Sequence, residues 1–177
     1  MKEEDISKLL IKFKNGDEKA FKELFFMFHR DVFKFLYFYL RNKEEAEELL
    51  QDVFLNFWKS REHIDIHLSP RNYLLKIARN LAINFLERER EKRKFEKLDA
   101  LQNITSSDAG IENFEIKDLI LSILDELPER CREVFILSRY NGLSIKEISE
   151  ILDIAVQTVK NHLTRALKHF RKRLKNY

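Results

Sequence analysis

Val156, Val159, Leu163, Ala166, Leu167 and Phe170 recur at helical spacing near the C-terminus and predict one apolar, inward stripe. The other face of that helix carries Gln157, Lys160, Asn161 and Thr164, with Thr158 and Arg165 at its flanks. Amides and hydroxyls of this length pair with base edges in a major groove, and cations pair with phosphate. From Ala155 to Tyr177 there are seven basic residues and no acid, so a polyanion fits this face better than water alone. A second stretch, Arg71 to Lys94, sets eight basic residues against three Glu. By contrast, Glu44 to Asp52 holds five acids and no base, and Asp108 to Glu129 holds seven acids against Lys117. The net charge of +3 therefore hides two basic patches on an otherwise acidic chain. Two separate contacts with a polyanion are expected; solvated helix faces are the plain alternative.

Other chemistries find little support. His63 and His67 are four apart, but in a polar stretch close to Pro70, and a metal would need further ligands. His162 and His169 lie two turns apart on the basic helix and read as phosphate or solvent contacts. Cys131 falls in an apolar helical stripe and reads as a buried small hydrophobe. The three glycines, Gly16, Gly110 and Gly142, form no phosphate-binding loop. No metal, no cofactor, no small-molecule substrate and no catalysis are expected.

The elements that must position these faces are helices. In 177 residues there are three Gly and two Pro, too few turn residues for a sheet-rich fold. Hydrophobic residues make up 44%, with 15 Phe, which is enough for a core. A lone cysteine, an acidic N-terminus without an apolar signal region and no membrane-length apolar run together predict a cytoplasmic protein.

Glu4 to Lys14 reads as a short helix ended by Asn15-Gly16. Asp17 caps the next, whose stripe is Phe21, Leu24, Phe25, Phe28, Val32, Phe35, Leu36 and Tyr39. Phe26, Phe33, Tyr37 and Phe38 lie outside the stripe, so this helix should be central and covered by neighbours. Asn42 and Glu45 form a capping-box pair for a third helix with inner residues Ala46, Leu49, Leu50, Val53, Phe54, Phe57 and Trp58. After a polar loop, Arg61 to Leu68, Ser69-Pro70 starts a fourth helix, in which Leu74, Leu75, Ile77, Ala78 and Leu81 pack inward. Lys97 to Asn113 has no sustained apolar period and reads as a linker. Helices resume at about Glu112 to Leu127 and from Pro128 to Tyr140.

Ser144 and Glu147 then form a second capping box, for a short helix burying Ile145, Ile148 and Leu152. Leu152-Asp153-Ile154 turns the chain into the basic helix, Ala155 to Lys175. Small Ser149, turn-forming Asp153 and packed Val159 have the spacing of a helix-turn-helix. Asp153 stands where glycine is common, and Asp tolerates a left-handed turn.

The order of motifs is EEAEELLQDVFLNFWK (Glu44 to Lys59), SPRNYLLKIARNLAINFL (Ser69 to Leu86), a linker, LPERCREVF (Leu127 to Phe135) and the helix-turn-helix. In this order the chain resembles a bacterial RNA polymerase sigma factor of the small extracytoplasmic-function (ECF) branch, over nearly its whole length. The resemblance implies an all-α fold of two small helical domains joined by a flexible linker. Residues 1–95 would bind core RNA polymerase and melt the −10 promoter element, 96–113 would be the linker, and 114–177 would be the helix-turn-helix domain reading the −35 element.

For core polymerase, the resemblance implies contacts from Glu48, Leu49, Gln51, Asp52, Phe54 and Leu55, on a helix similar to the one that docks on the clamp of the largest subunit. An ordinary acidic solvent face remains open for Glu44 and Glu45. For −10 DNA, strand melting needs cations, here Arg71, Lys76, Arg79 and Arg88. It also needs amides and an aromatic to hold an unstacked base, here Asn72, Tyr73, Asn80 and Asn84, and a loop wall, Ile64 to Leu68. Core packing remains open for Tyr73 and Asn84. For −35 DNA, the contacts are Gln157, Thr158, Lys160, Asn161, Thr164, Arg165 and Lys168.

The resemblance also implies an anti-sigma factor, often membrane-bound in the family. The linker can span roughly 56 Å at about 3.3 Å per residue, and DNA advances about 34–36 Å per turn, so the two domains could occupy two separated promoter elements. The rival reading is a helix-turn-helix regulator that binds duplex DNA without polymerase; only the first domain separates the two.

Overall fold

A computed structural model describes residues 3–65, 69–96 and 114–175. Among the described residues every regular element is helical, bearing out the all-α expectation. The first four helices are α1 (Glu3–Lys14), α2 (Glu18–Leu40), α3 (Lys43–Lys59) and α4 (Pro70–Glu96), with a single 3-10 turn at Arg61–His63. The second group comprises α5 (Phe114–Asp125), α6 (Glu129–Arg139), α7 (Ile145–Leu152) and α8 (Val156–Leu174). The expected linker, Lys97 to Asn113, lies outside the described residues, as do residues 66–68, His67 among them.

The caps explain several helix starts. Asp17 accepts hydrogen bonds from the N–H groups of Lys19 and Ala20 at the head of α2. Asn42 accepts from the Glu45 N–H at the head of α3. Gly16 ends α1 with a positive φ of 83°, a backbone shape that glycine adopts without strain.

In the first group α2 is central and packs against α1, α3 and α4. Its core residues Leu24, Val32, Phe35 and Leu36 meet Phe13 of α1, Val53 and Phe57 of α3, and Leu74, Leu75 and Ala78 of α4. Phe13 and Phe57 stack with ring centroids 4.5 Å apart. The covering of α2 is incomplete: Phe26 is 61% exposed, because among the described residues no element lies over that side of the helix. Phe38, by contrast, is covered from the second group, where Tyr140 stacks on it at 3.7 Å.

In the second group α6 packs against α8, and α7 crosses α8. Ile148, Ile151 and Leu152 of α7 are buried with Val159, Ala166 and Phe170 of α8, and Ile145 is only half-buried. Phe135 and Phe170 stack at 4.3 Å. The expected capping box is complete: Ser144 Oγ accepts from the Glu147 N–H, and Glu147 Oε2 accepts from the Ser144 N–H at 2.9 Å. Asp153 adopts the left-handed conformation, φ 52°, ending α7. Cys131 is fully buried, as its stripe predicted.

Candidate nucleic-acid interface

The C-terminal face follows from the packing of α8. With Val159, Ala166 and Phe170 turned inward, Gln157, Lys160, Asn161, Thr164, Arg165 and Lys168 are all exposed, and Thr158 is half-buried at the flank. Gln157 Nε2 donates to Asn161 Oδ1 at 3.1 Å, so two of the amides form one polar unit. Val156 corrects the expected inward stripe. It sits at the first turn, where α7 does not reach it, and is 41% exposed beside Gln157. An apolar side chain there can meet a thymine methyl, a contact that period-based assignment to the core concealed.

The two histidines of α8 also differ from expectation. His162 is half-buried with Nδ1 3.3 Å from Cys131 Sγ, and His169 Nε2 lies 2.8 Å from Glu126. Both are tied to their own domain. Burial pushes the Cys131 thiol up, although the neighbouring Arg165 acts against that.

On α3, Glu48, Gln51, Asp52 and Leu55 are exposed and share the outer side, Leu55 at 53%. Leu49 and Phe54 correct the expectation for this helix. They are 5% and 3% exposed and pack into the core, because they fall on the inner stripe; they hold the helix in place and cannot face a partner.

On α4, Lys76, Asn80, Asn84 and Arg88 are exposed. Tyr73 is half-buried, with its ring 6.1 Å from Phe57, but one side faces a cleft. That cleft, of about 430 Å³, is lined by Asn56, Lys59, Ser60, Tyr73, Ile77, Asn80 and Leu81. It joins an aromatic edge to amide, hydroxyl and ammonium groups, a lining that suits an unstacked base. Asn56, Lys59 and Ser60 were not anticipated, since they come from the end of the neighbouring helix. Ile64 of the expected loop wall is buried in the core, with its carbonyl accepting from Lys14 Nζ at 3.1 Å.

Three α4 candidates are engaged elsewhere. Arg79 Nε donates to Glu133 Oε1 of α6 at 2.9 Å. Arg71 Nε donates to Asp31 Oδ2 at 2.7 Å, and its Nη2 donates to the Asn141 carbonyl. The Asn72 side chain lies close to Glu147 at the head of α7 and helps to hold that carboxyl down.

Sequence comparison resolves which proteins share these features. Residues 24–92 match the Sigma-70 region 2 family and residues 117–170 match Sigma-70, region 4. The ECF RNA polymerase sigma factor SigM of Bacillus subtilis (strain 168) is 31% identical over 156 residues, covering 86% of this chain and 91% of SigM. This chain belongs to the ECF RNA polymerase sigma factors. Another member, SigW of the same organism, is 29% identical over 186 residues, covering 97% of each chain.

Two solved structures share the fold. The sigma factor RpoE in complex with the anti-sigma factor NepR from Bartonella quintana has a TM-score of 0.76 at 20% identity, covering 89% of this chain and 98% of that one. CnrH in complex with the cytosolic domain of CnrY has a TM-score of 0.73 at 19% identity, covering 96% and 97%. As a sigma factor, the chain binds RNA polymerase and directs it to promoters. The region 2 match sets aside the polymerase-independent regulator, which needs no such domain. Among the described residues no helix is long and apolar enough to cross a membrane.

Proposed function

We propose that this sigma factor divides its work among three helices. Residues 1–95 form the domain that docks on core polymerase and opens the −10 element, residues 96–113 link it to the rest, and residues 114–177 read the −35 element. The outer side of α3, with Glu48, Gln51, Asp52 and Leu55, meets the polymerase clamp: carboxylates supply charge complementarity and Leu55 an apolar anchor. Lys76 and Arg88 of α4 hold −10 phosphates. A base flipped from the −10 duplex enters the cleft between α3 and α4, where Tyr73 and Asn80 receive it. Stacking of that kind is worth about 1–3 kcal/mol per base, comparable to what unstacking costs, so a captured base favours the open strand. On α8, Gln157, Lys160, Asn161, Thr164, Arg165 and Lys168 enter the −35 major groove.

Bond-making stays with the polymerase in this scheme; the chain contributes binding and strand separation, in the cytoplasm, with no cofactor. An anti-sigma factor is the further partner proposed, since the sigma factor RpoE, of this fold, is held in a complex of that kind, and CnrH, of the same fold, is held with the cytosolic domain of CnrY.

The observation that carries this reading is the cleft at the α3–α4 junction, with an exposed acidic face on the same α3. A regulator of duplex DNA needs neither. The test is a band-shift with a promoter fragment, run with the chain alone, with core polymerase alone and with both. Binding confined to the combination supports the scheme; tight, sequence-specific binding by the chain alone contradicts it.

A further inference from the structure

The first turn of α8 carries an apolar surface that its own domain does not use. Ala155 and Val156 are both exposed, Val156 at 41%, whereas Val159, Ala166 and Phe170 further along the helix are buried. Packing against α7 is served at this end by Val159, so the core requires no branched side chain at position 156. Helix propensity does not call for one either, since a β-branched residue is a weak helix former. Val156 stands four residues before Lys160, and so on the same edge of the exposed side. Its neighbour in sequence is Gln157, whose amide is bonded to Asn161 at 3.1 Å.

The polar groups of this face leave one distinction unmade. The Lys160 ammonium donates to thymine O4 as readily as to guanine O6, and an amide N–H does the same. Thymine alone adds a C5 methyl in the major groove, which an apolar surface rewards and a polar one does not.

We propose that Ala155 and Val156 form a contact for a thymine methyl in the −35 groove, setting a preference for an A·T pair close to the base pair that Asn161 reads. The proposal rests on the reading of α8 as the −35 helix. It deepens that reading by naming a base and the side chains that select it.

The placement follows from the helix. A recognition helix meets base edges with its N-terminal residues. The first turn of α8 holds no acid, and Ala155 at its head makes no side-chain capping bond, so nothing charged of its own stands between these methyls and the groove. Five residues at about 1.5 Å each separate Val156 from Asn161 along the helix. Successive base pairs are about 3.4 Å apart, which puts the thymine about two pairs from the one that Asn161 meets.

The test uses the full chain with core polymerase, and a promoter fragment whose −35 element that holoenzyme has selected from a randomised library. Each −35 thymine is replaced in turn by deoxyuridine, which removes the methyl and keeps the base pair. At one thymine, about two pairs from the position whose preference Asn161→Ala relaxes, the parent should lose about fourfold in binding, the worth of one methyl-sized group taken out of water. Val156→Ala alters an exposed residue and should keep the parental melt. It should bind the thymine promoter about fourfold less well than the parent does, and should be indifferent to deoxyuridine at that position. A selected element without thymine, or deoxyuridine without effect at every −35 thymine, overturns the proposal and leaves the α8 reading to the Asn161→Ala result. A deoxyuridine loss equal in the parent and Val156→Ala gives the methyl to another side chain and also overturns it. Selection of the parental −35 sequences by both Asn161→Ala and Val156→Ala overturns the α8 reading and the proposal together.

Discussion

Gln157 and Asn161 are joined one turn apart on the exposed side of α8, Nε2 to Oδ1 at 3.1 Å. The bond holds the Asn161 carboxamide in one orientation and leaves its NH2 directed outward for a base edge. Asn161→Ala should therefore change which −35 sequences are used, costing about 1–3 kcal/mol at one position. Gln157→Ala should loosen the same preference more weakly. Lys172, exposed near the end of α8, can add only charge. Lys172→Ala should weaken all −35 sequences alike and lower the salt slope by about one. Transcription from a randomised −35 library at two salt concentrations measures both effects.

Asp52 is exposed on the outer side of α3 and away from the core. Asp52→Arg should leave the thermal melt unchanged and weaken core polymerase binding by about 1 kcal/mol or more, since a reversed charge repels a basic surface. A pull-down with core enzyme gives the answer, and equal recovery of both proteins would remove Asp52 from the interface.

Strand opening should depend on the cleft and on the cations that remain exposed. Lys76→Ala with Asn80→Ala is expected to keep polymerase binding and reduce permanganate reactivity over the −10 element. Arg79→Ala alone is a poorer probe, because Arg79 also neutralises buried Glu133 and its loss leaves that carboxylate short of a partner.

Glu147 titrates with a definite sign. Burial pushes its carboxyl up, but hydrogen bonds from the Ser144 backbone and the Ser144 hydroxyl, with nearby Asn72 and the charge of Arg71, outweigh that and hold it below the ordinary 4.5. A depressed carboxyl stabilises the fold above its unfolded value and loses that contribution as pH falls below it. Glu147→Ala should therefore cost about 1 kcal/mol near neutral pH, and the difference from the parent should shrink on acidification below 4.5. Melts from about pH 7 to about pH 3 follow this, and a constant difference would assign the capping to an uncharged interaction.

The helix-turn-helix was legible because its determinants are local. Ser144 and Glu147 are three residues apart, and Asp153 sits at the one turn that needs a positive φ. The reading face of α8 followed from its period, except at the first turn, where Val156 escapes its neighbour. On α3 the period placed Leu49 and Phe54 on the inner stripe, while the resemblance named both among the polymerase contacts; burial decides for the stripe. The cleft was half legible, since Tyr73 and Asn80 share α4 but Asn56, Lys59 and Ser60 come from the end of α3 and the residue after it. The contacts between the two helical groups were not legible at all. Arg79 and Glu133 are 54 positions apart, and nothing in a surface-like LPERCREVF pattern marks Glu133 as the residue that is buried.

The most direct test of the three-helix account is run-off transcription on genomic fragments with core polymerase, the parent chain and three variants: Asp52→Arg, Lys76→Ala with Asn80→Ala, and Asn161→Ala. The account predicts a discrete set of transcripts that need the chain. Those transcripts should be lost with the first variant, lost at the strand-opening step with the second, and redistributed among promoters with the third. Transcripts from the same promoters at parental levels with all three variants would contradict it.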